Sequence, residues 1–161
     1  MEVPKITIYT DGSARGNPGP GGYGIVLISG KFRKEVSDGF RKTTNNRMEL
    51  LAVIIALELL KVEGSDVTVF TDSKYVSEAI NQNWIQTWQK KSFNKVKNPD
   101  LWIRFLKIYR NHNVKFVWVK GHAENLENNV CDILATTAAQ GKNLRIDEFY
   151  ENSVSTDNML L

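Results

Sequence analysis

The sequence is poor in residues that form covalent cross-links or bind soft metals. It contains one cysteine and two histidines in 161 residues. A single cysteine excludes an intramolecular disulfide, and no cysteine or histidine spacing matches a zinc site. No apolar run approaches the ~20 residues that a membrane helix needs, and the N-terminus lacks the apolar segment of a secretory signal. We therefore expect a reduced, cytoplasmic protein that does not associate with membranes.

Negative charge is missing from the middle of the chain. No acidic residue occurs between Glu78 and Asp100. Residues 74–120 carry ten Lys/Arg against two acids, whereas residues 121–161 carry two against seven. A basic segment of this density favours a polyanionic partner, although a solvated basic face would have the same composition.

The order of strand and helix patterns predicts one domain built on a mixed sheet. The expected strands are residues 5–10, 23–29, 32–43, 67–71 and 114–119, and the expected helices are residues 44–61, 73–81, 84–91, 99–111 and 127–140. An antiparallel meander should come first, followed by parallel strands that helical crossovers connect. We expect the domain to span residues 1–141 and the polar, acidic residues 142–161 to form a loosely ordered tail.

One six-residue pattern occurs twice, as ITIYTD at residues 6–11 and VTVFTD at residues 67–72. Each copy predicts a buried strand that ends in a carboxylate. If the two strands are parallel neighbours, Asp11 and Asp72 emerge at the same edge of the sheet, where open α/β sheets bind ligands. Two carboxylates repel each other there unless a cation lies between them. The alternative is that each aspartate caps the turn or helix that follows it.

Two further acids could join this edge. Glu49 lies on an apolar stripe of its predicted helix, with Ala52, Val53 and Ala56 three, four and seven residues later. It should therefore point inward, although a helix N-terminus also favours a carboxylate for electrostatic reasons. Asp132, on the last predicted helix, has by pattern alone the features of a surface acid. Converging carboxylate oxygens suit Mg²⁺ or Mn²⁺.

The glycine-rich loop at residues 19–24 formally matches G-x-G-x-x-G. A dinucleotide site requires a helix after this motif, whereas here a strand follows and a proline interrupts the glycines. We therefore interpret the loop as a turn into a hairpin. Its backbone N–H groups near Asn17 could still contact a bound nucleic-acid backbone.

Aromatic residues accompany the lysines of the basic middle. The segment of about residues 82–97 contains Trp84, Trp88, Lys90, Lys91, Phe93, Lys95 and Lys97. Lysines interleaved with aromatic rings on a protruding element indicate nucleic-acid binding. Packing of the tryptophans is the alternative, and for Trp84 we favour it.

The ordered motifs TDGSARGNPGPGGYG, TTNNRMEL, TDSKYV, WVKGH and NNVCD resemble those of bacterial type-1 ribonuclease H, from about Lys5 to Ala139. The resemblance implies a ribonuclease H-like α/β fold, a five-stranded mixed sheet with helices on both faces. It also implies an endonuclease that hydrolyses the RNA strand of RNA/DNA hybrids with two Mg²⁺ ions per site, Mn²⁺ being possible, and leaves 5′-phosphate and 3′-hydroxyl ends. We expect the protein to act as a monomer.

The resemblance also assigns roles to individual residues. The implied metal ligands are Asp11, Glu49, Asp72 and Asp132, and the implied mobile catalytic histidine is His122. The expected substrate contacts are Asn17, Thr44, Asn45, Asn46, Lys74, Trp84, Trp88, Lys90, Lys91 and Asn98. The segment of about residues 82–97 resembles the family's basic protrusion.

The chain departs from the family pattern at four positions while keeping all four carboxylates. Glu124 replaces a usual glycine and Asn129 a common acid, and Lys74 and Glu78 replace glutamine-like residues. These changes concern the histidine loop, the electrostatics around the site and the affinity for the hybrid. Two other functions compete with the enzyme: a non-catalytic nucleic-acid-binding module, and a nuclease of the same fold that acts on DNA or duplex RNA.

Overall fold

The computed structural model describes residues 2–121 and 125–159. The strands are β1 (Lys5–Ala14), β2 (Gly19–Ser29), β3 (Phe32–Thr43), β4 (Asp66–Thr71) and β5 (Asn113–Trp118). The helices are α1 (Asn45–Glu58), α2 (Lys74–Asn81), α3 (Trp84–Lys90), α4 (Pro99–Tyr109), α5 (Leu126–Ala139) and α6 (Glu148–Met159). No helix within the described ranges is long and apolar enough to cross a membrane.

The five strands form one mixed sheet in the order β3-β2-β1-β4-β5. β1, β2 and β3 form an antiparallel meander, and β4 and β5 continue the sheet in parallel with β1. The fold class expected from the sequence is therefore confirmed. The two copies of the repeated pattern are adjacent and in register, from Ile6 opposite Val67 to Thr10 opposite Thr71. Both copies thus end at the same edge of the sheet.

Helices cover both faces of the sheet. A Cβ atom at Gly12 would overlap with the backbone of α1, whereas a Cβ atom at Gly24 would overlap with the carbonyl oxygen of Cys131 in α5. Gly12 pairs with Tyr23, which precedes Gly24 along β2. Because successive residues of a strand point to opposite faces, α1 and α5 lie on opposite faces of the sheet.

The main core lies between the sheet, α1 and α4. Buried residues occur on every side of α1, which is typical of a helix enclosed by other elements. On its outer side α1 packs against α4, where Trp102 and Phe105 are fully buried. This helix pair holds the first turn of α1 against the edge of the sheet where β1 and β4 end.

Most predicted element boundaries differ from the observed ones by a few residues. The largest differences are in β1, which continues to Ala14, and in β2, which begins at Gly19, because Gly12–Ala14 pair with residues of β2. The glycine-rich loop is therefore part of a long hairpin, which agrees with the rejection of a dinucleotide site.

After β3, Thr44 caps α1 by accepting a hydrogen bond from the Arg47 N–H at 3.2 Å.

Residues 142–159 contain a backbone pairing with β3 and a helix, which the sequence analysis did not predict. Arg145 donates a backbone hydrogen bond to Gly39 and accepts one from Arg41, each at 2.9 Å, so it extends the edge of the sheet at β3. The chain then forms α6. Between the two, Asp147 is only 8% exposed. A contact with a residue 100 positions earlier, Arg47, holds this segment in place.

Arg47 lies at the centre of a buried ionic network and is 3% exposed. Its guanidinium group donates five hydrogen bonds, two to Asp147 at 2.7 and 3.0 Å, two to Asp100 at 2.9 and 2.7 Å, and one to Asn98 at 3.2 Å. These bonds use all five N–H donors of the side chain. Burial opposes the charge, but the bonds to Asp100 and Asp147 outweigh it and raise the pKa of Arg47.

Replacing Arg47 by alanine should destabilise the protein by about 3–5 kcal/mol, because two carboxylates would lose their buried cationic partner. The midpoint of urea unfolding measures this change. Arg41→Ala is the matched control, because Arg41 in β3 attaches α6, the helix that follows Asp147, through an exposed ion pair with Glu151. That control should cost less than about 1 kcal/mol. Equal losses in the two variants would contradict the central role of Arg47.

Candidate active site

Three carboxylates meet at the edge where β1 and β4 end. Asp11 lies in β1, Asp72 follows the last residue of β4, and Glu49 lies in the second turn of α1. One oxygen atom from each lies within 4.8 Å of one from each of the others. The expectation that Glu49 points inward to the two aspartates is therefore confirmed.

The close approach of Glu49 depends on Gly12. A Cβ atom at Gly12 would overlap with the backbone of Met48 and Glu49, so only glycine lets α1 pack so close to β1. The Gly12 N–H also donates a hydrogen bond to Asp11 Oδ1 at 2.9 Å. Gly12 thus brings Asp11 and Glu49 together and orients Asp11.

The cluster is electrostatically strained because its charges are largely buried. Asp11 is 6% exposed and Glu49 is 9% exposed. Burial raises the pKa of Asp11 to about 7; the hydrogen bond with Glu49 opposes this rise, and the charge of Asp72 adds to it. Burial, followed by the charges of Asp11 and Asp72, raises the pKa of Glu49 well above its usual range. Both carboxyl groups are therefore harder to ionise than exposed ones, and the charge of each opposes ionisation of the other.

The donor set fits a hard divalent cation. Glu49 Oε1 is buried and has no hydrogen-bond partner among the described residues. None of the ion pairs formed by the described residues involves Asp11, Glu49 or Asp72. Unpaired carboxylate oxygens without nitrogen or sulfur ligands suit Mg²⁺ or Mn²⁺ better than zinc. A bound cation would supply the charge that the cluster lacks.

The fourth predicted ligand lies near this cluster. Asp132 lines the same cavity of about 400 Å³ as Asp11, Glu49 and Asp72, and its charge contributes to the raised pKa of Asp11. It is not part of the group whose oxygen atoms lie within 4.8 Å of one another. The predicted catalytic histidine, His122, lies outside the described residues, as does Glu124.

Three of the predicted substrate contacts line the same cavity, namely Asn45, Asn46 and Lys74. The Lys74 ammonium lies 5.2 Å from the ring centroid of Trp118, and Trp118 Nε1 donates a hydrogen bond to the Asp72 carbonyl oxygen at 3.0 Å. These contacts hold the Lys74 ammonium at the rim of the acidic cluster. Asn45 also has a structural role, because its Oδ1 accepts the Ala14 N–H at 2.6 Å.

Asn17, Thr44 and Asn98 lie elsewhere, in a second cavity of about 550 Å³. Asn46 lines both cavities, so the two are adjacent. Asn17 Oδ1 accepts the Asn45 N–H at 2.9 Å, which ties the hairpin loop to the start of α1. The polar residues at the N-terminus of α1 therefore connect the acidic cluster to the second cavity.

The tryptophans of the protrusion differ in exposure. Trp88 packs on the buried Trp102 with ring centroids 5.2 Å apart, so it anchors the protrusion to the core. Trp84 is 43% exposed and lies 6.5 Å from Trp88. Lys90 and Lys91 are exposed at the end of α3. The packing role that the sequence favoured for Trp84 thus applies better to Trp88.

Sequence reasoning missed several residues that line these cavities. They are Tyr75 in the first cavity and Phe149, Tyr150 and Ser153 in the second. A signal for α6 was present, because Asp147 is a favourable helix-capping residue followed by Glu148 and Glu151 in the first turn. We did not predict this helix, because a polar and acidic composition is also typical of a loosely ordered tail.

Comparisons with known proteins agree with this geometry. A family model described as RNase H matches residues 4–140. A ribonuclease H of Desulforamulus reducens is 54% identical over 148 residues, which cover 89% of this chain and 92% of the relative.

Two solved structures are also similar. LC9-RNase H1, described as a type 1 RNase H with the type 2 active-site motif, superposes with a TM-score of 0.80 at 29% identity, covering 89% of this chain and 75% of the other. LC11-RNase H1, solved in complex with an RNA/DNA hybrid, has a TM-score of 0.61 at 31% identity, covering 84% of this chain and 96% of the other.

Asp11→Asn should stabilise the metal-free protein at neutral pH. Because the folded-state pKa of Asp11 is about 7 and its usual value is 3.8, the folded state binds more protons than the unfolded state between these values. Wild-type stability in EDTA should therefore fall as the pH rises through this window. The stability of the variant should fall less over the same pH range. Thermal unfolding at about pH 5 and about pH 8 measures the difference. Each kcal/mol of unfolding free energy should shift Tm by about 2–4 °C.

Asp66→Asn is the control for this measurement, because Asp66 lies at the opposite end of β4 and is only partly buried. This variant should keep the wild-type dependence of Tm on pH. If Asp11→Asn also kept it, the strain assigned to the carboxylate cluster would be incorrect.

Proposed function

The chain belongs to the ribonuclease H family, and we infer that it is an endoribonuclease that hydrolyses the RNA strand of RNA/DNA hybrids. The observation that carries this function is the cluster of Asp11, Glu49 and Asp72 at one edge of the sheet, three carboxylates that form no ion pair with any described residue. A non-catalytic binding module would not need to keep such repelling charges together. One chain contains the whole cluster, so a monomer suffices for the reaction.

We propose that the cluster binds two Mg²⁺ ions, with Mn²⁺ as a functional substitute, and that Asp132 completes the ligand set. The buried, unpartnered Oε1 of Glu49 supports this proposal. When bound, such ions activate a water nucleophile and stabilise the leaving 3′ oxygen of an in-line displacement at phosphorus. Cleavage would leave a 5′-phosphate and a 3′-hydroxyl.

The protein's own groups prepare the site in three ways. The pKa values of Asp11 and Glu49 are both raised, and a carboxyl group must be deprotonated to act as a ligand, so metal binding should release protons. Gly12 keeps Asp11 oriented through its N–H group. We propose that His122, which follows β5 in the chain, transfers a proton or assists product release.

Substrate recognition would use the groups around the cluster. Asn45 and Asn46 line the acidic cavity, where their side chains could contact the ribose 2′-hydroxyl groups that distinguish RNA from DNA. Lys74 at the rim would contact a backbone phosphate, and Asn17, Thr44 and Asn98 would contact the backbone in the adjacent cavity. The protrusion, with Trp84, Trp88, Lys90 and Lys91, would bind the duplex without reading its sequence.

Asp72→Asn should reduce cleavage of a labelled RNA/DNA hybrid at least about 100-fold in Mg²⁺ or Mn²⁺, because a metal ligand would be lost. Binding of the hybrid should survive. Asp66→Asn, at the other end of the same strand, should cleave normally. Near-wild-type activity of Asp72→Asn would exclude the proposed metal site. Wild-type protein that left the hybrid intact, or cut duplex RNA or DNA equally well, would exclude the proposed function.

A quadruple alanine variant of Lys90, Lys91, Lys95 and Lys97 should bind the hybrid more weakly and with a flatter salt dependence. Each lost phosphate contact reduces the slope of log K against log salt concentration by up to about 0.9. The charge-matched control replaces Lys31, Lys34, Lys107 and Lys115, which are also exposed. Fluorescence anisotropy over a salt series measures both slopes. Identical slopes for the two variants would rule out the protrusion as a substrate contact.

A further inference from the structure

The second cavity has three walls that come from distant parts of the chain. The first wall is formed by the hairpin loop and the start of α1, and the second by the residues that lead into α4. The third wall is formed by α6. The lining includes Asn46, Lys97, Asn98, Phe149, Tyr150 and Ser153. The C-terminal helix is thus part of a cavity that adjoins the acidic cluster.

The lining of this cavity suits an anionic, sugar-containing ligand. Among the described residues that line it there is no aspartate or glutamate, whereas Lys97 supplies a positive charge that no ion pair among the described residues offsets. The carboxylate partners of Arg47 do not belong to the lining. The amides of Asn17, Asn46 and Asn98 and the Tyr150 hydroxyl can donate to phosphate oxygens. The Ser153 hydroxyl donates to the Tyr150 carbonyl oxygen at 2.8 Å and can still accept a hydrogen bond from a sugar hydroxyl. Two aromatic rings offer flat surfaces for a sugar. A sugar–phosphate backbone combines these features.

The α6 wall is held firmly by the fold. Asp147 accepts a 3.4 Å hydrogen bond from the Tyr150 N–H, and its carbonyl oxygen accepts the Glu151 N–H at 2.9 Å, so it begins the helix. The same carboxylate accepts hydrogen bonds from Arg47 and from the Thr43 hydroxyl, the latter at 2.7 Å. The exposed bidentate pair of Arg41 with Glu151 adds a second attachment. Tyr150 therefore has a defined position in the cavity.

The same network orients the opposite wall. Arg47 donates to Asn98 Oδ1 at 3.2 Å, and Asn98 Nδ2 donates to the Tyr75 hydroxyl at 3.0 Å. Because an amide nitrogen carries two N–H groups, one of them remains for a ligand in the cavity. Arg47 thus acts as a positioning residue that connects the start of α6 with Asn98.

We propose that α6 is a substrate-binding element, in which Tyr150 and Ser153 bind the sugar–phosphate backbone of the hybrid in the second cavity. The proposal rests on the proposed function, since the ligand is the substrate of the acidic cluster. The shared lining residue Asn46 makes the two sites neighbours, so one continuous duplex can occupy both. The C-terminal segment would then contribute to affinity for the hybrid as well as to the stability of the domain.

The test compares Tyr150→Ala with Ser155→Ala, which changes an exposed residue of the same helix outside the cavity lining. Tyr150→Ala should raise KM for the hybrid about 5-fold, the effect of one lost hydrogen bond, and leave kcat unchanged. Ser155→Ala should change neither. Tyr150→Phe and Ser153→Ala report on the two hydroxyl groups if the alanine variant is unstable.

Hybrids with one neutral methylphosphonate linkage, placed at successive positions of the DNA strand or of the RNA strand, locate the contact. With the wild-type protein, one position should weaken binding more than its neighbours. With Tyr150→Ala, the same linkage should have little further effect, because the two changes remove one interaction. The strand that carries this position identifies which backbone occupies the cavity.

The outcomes separate the two proposals. Wild-type protein that fails to cleave the hybrid would refute the proposed function itself. If the wild type cleaves the hybrid, unchanged KM in Tyr150→Ala, Tyr150→Phe and Ser153→Ala would refute only the role of α6. Additive effects of Tyr150→Ala and of every methylphosphonate position would refute it as well.

Discussion

The repulsion among buried carboxylates is the constraint on which the rest of this structure depends. Asp11, Glu49 and Asp72 cannot approach one another by their own interactions, so the surrounding fold must hold them there. It does so with the most rigid parts available, two central parallel strands in register and an enclosed helix packed against them at Gly12. The site is therefore prepared for cations at a cost in stability that the core offsets.

A second electrostatic centre has the opposite character. Arg47 uses all five of its N–H donors, so its charge is fully compensated although it is buried. It joins α1, the start of α4 and the start of α6 around one planar group. A lysine could not reproduce this geometry, because its ammonium is a point charge with three donors. The two centres differ in their source of opposite charge. The carboxylate cluster requires a metal ion, whereas side chains of the protein neutralise Arg47.

The repeated strand pattern predicted the shared edge of β1 and β4 because a buried parallel strand needs a continuous apolar run and directs its last residue to that edge. The inward stripe on α1 predicted Glu49 for a similar local reason. The helix α6 was not predicted because its position depends on contacts with distant residues, namely Arg47 and Thr43 with Asp147, Arg41 with Glu151, and the backbone pairing at Arg145. Such contacts leave almost no trace in local composition.

The sequence alone determined the sheet, the order of its elements and the carboxylates that meet at its edge, since periodicity and motif order are local properties of the chain. The tertiary structure decided that Asp132 lies outside the closest group of oxygens, that Trp88 packs on the core and that α6 forms a cavity wall. Each of these depends on distances between residues far apart in the chain. Packing and buried charge pairs set those distances, and they act only once the chain has folded.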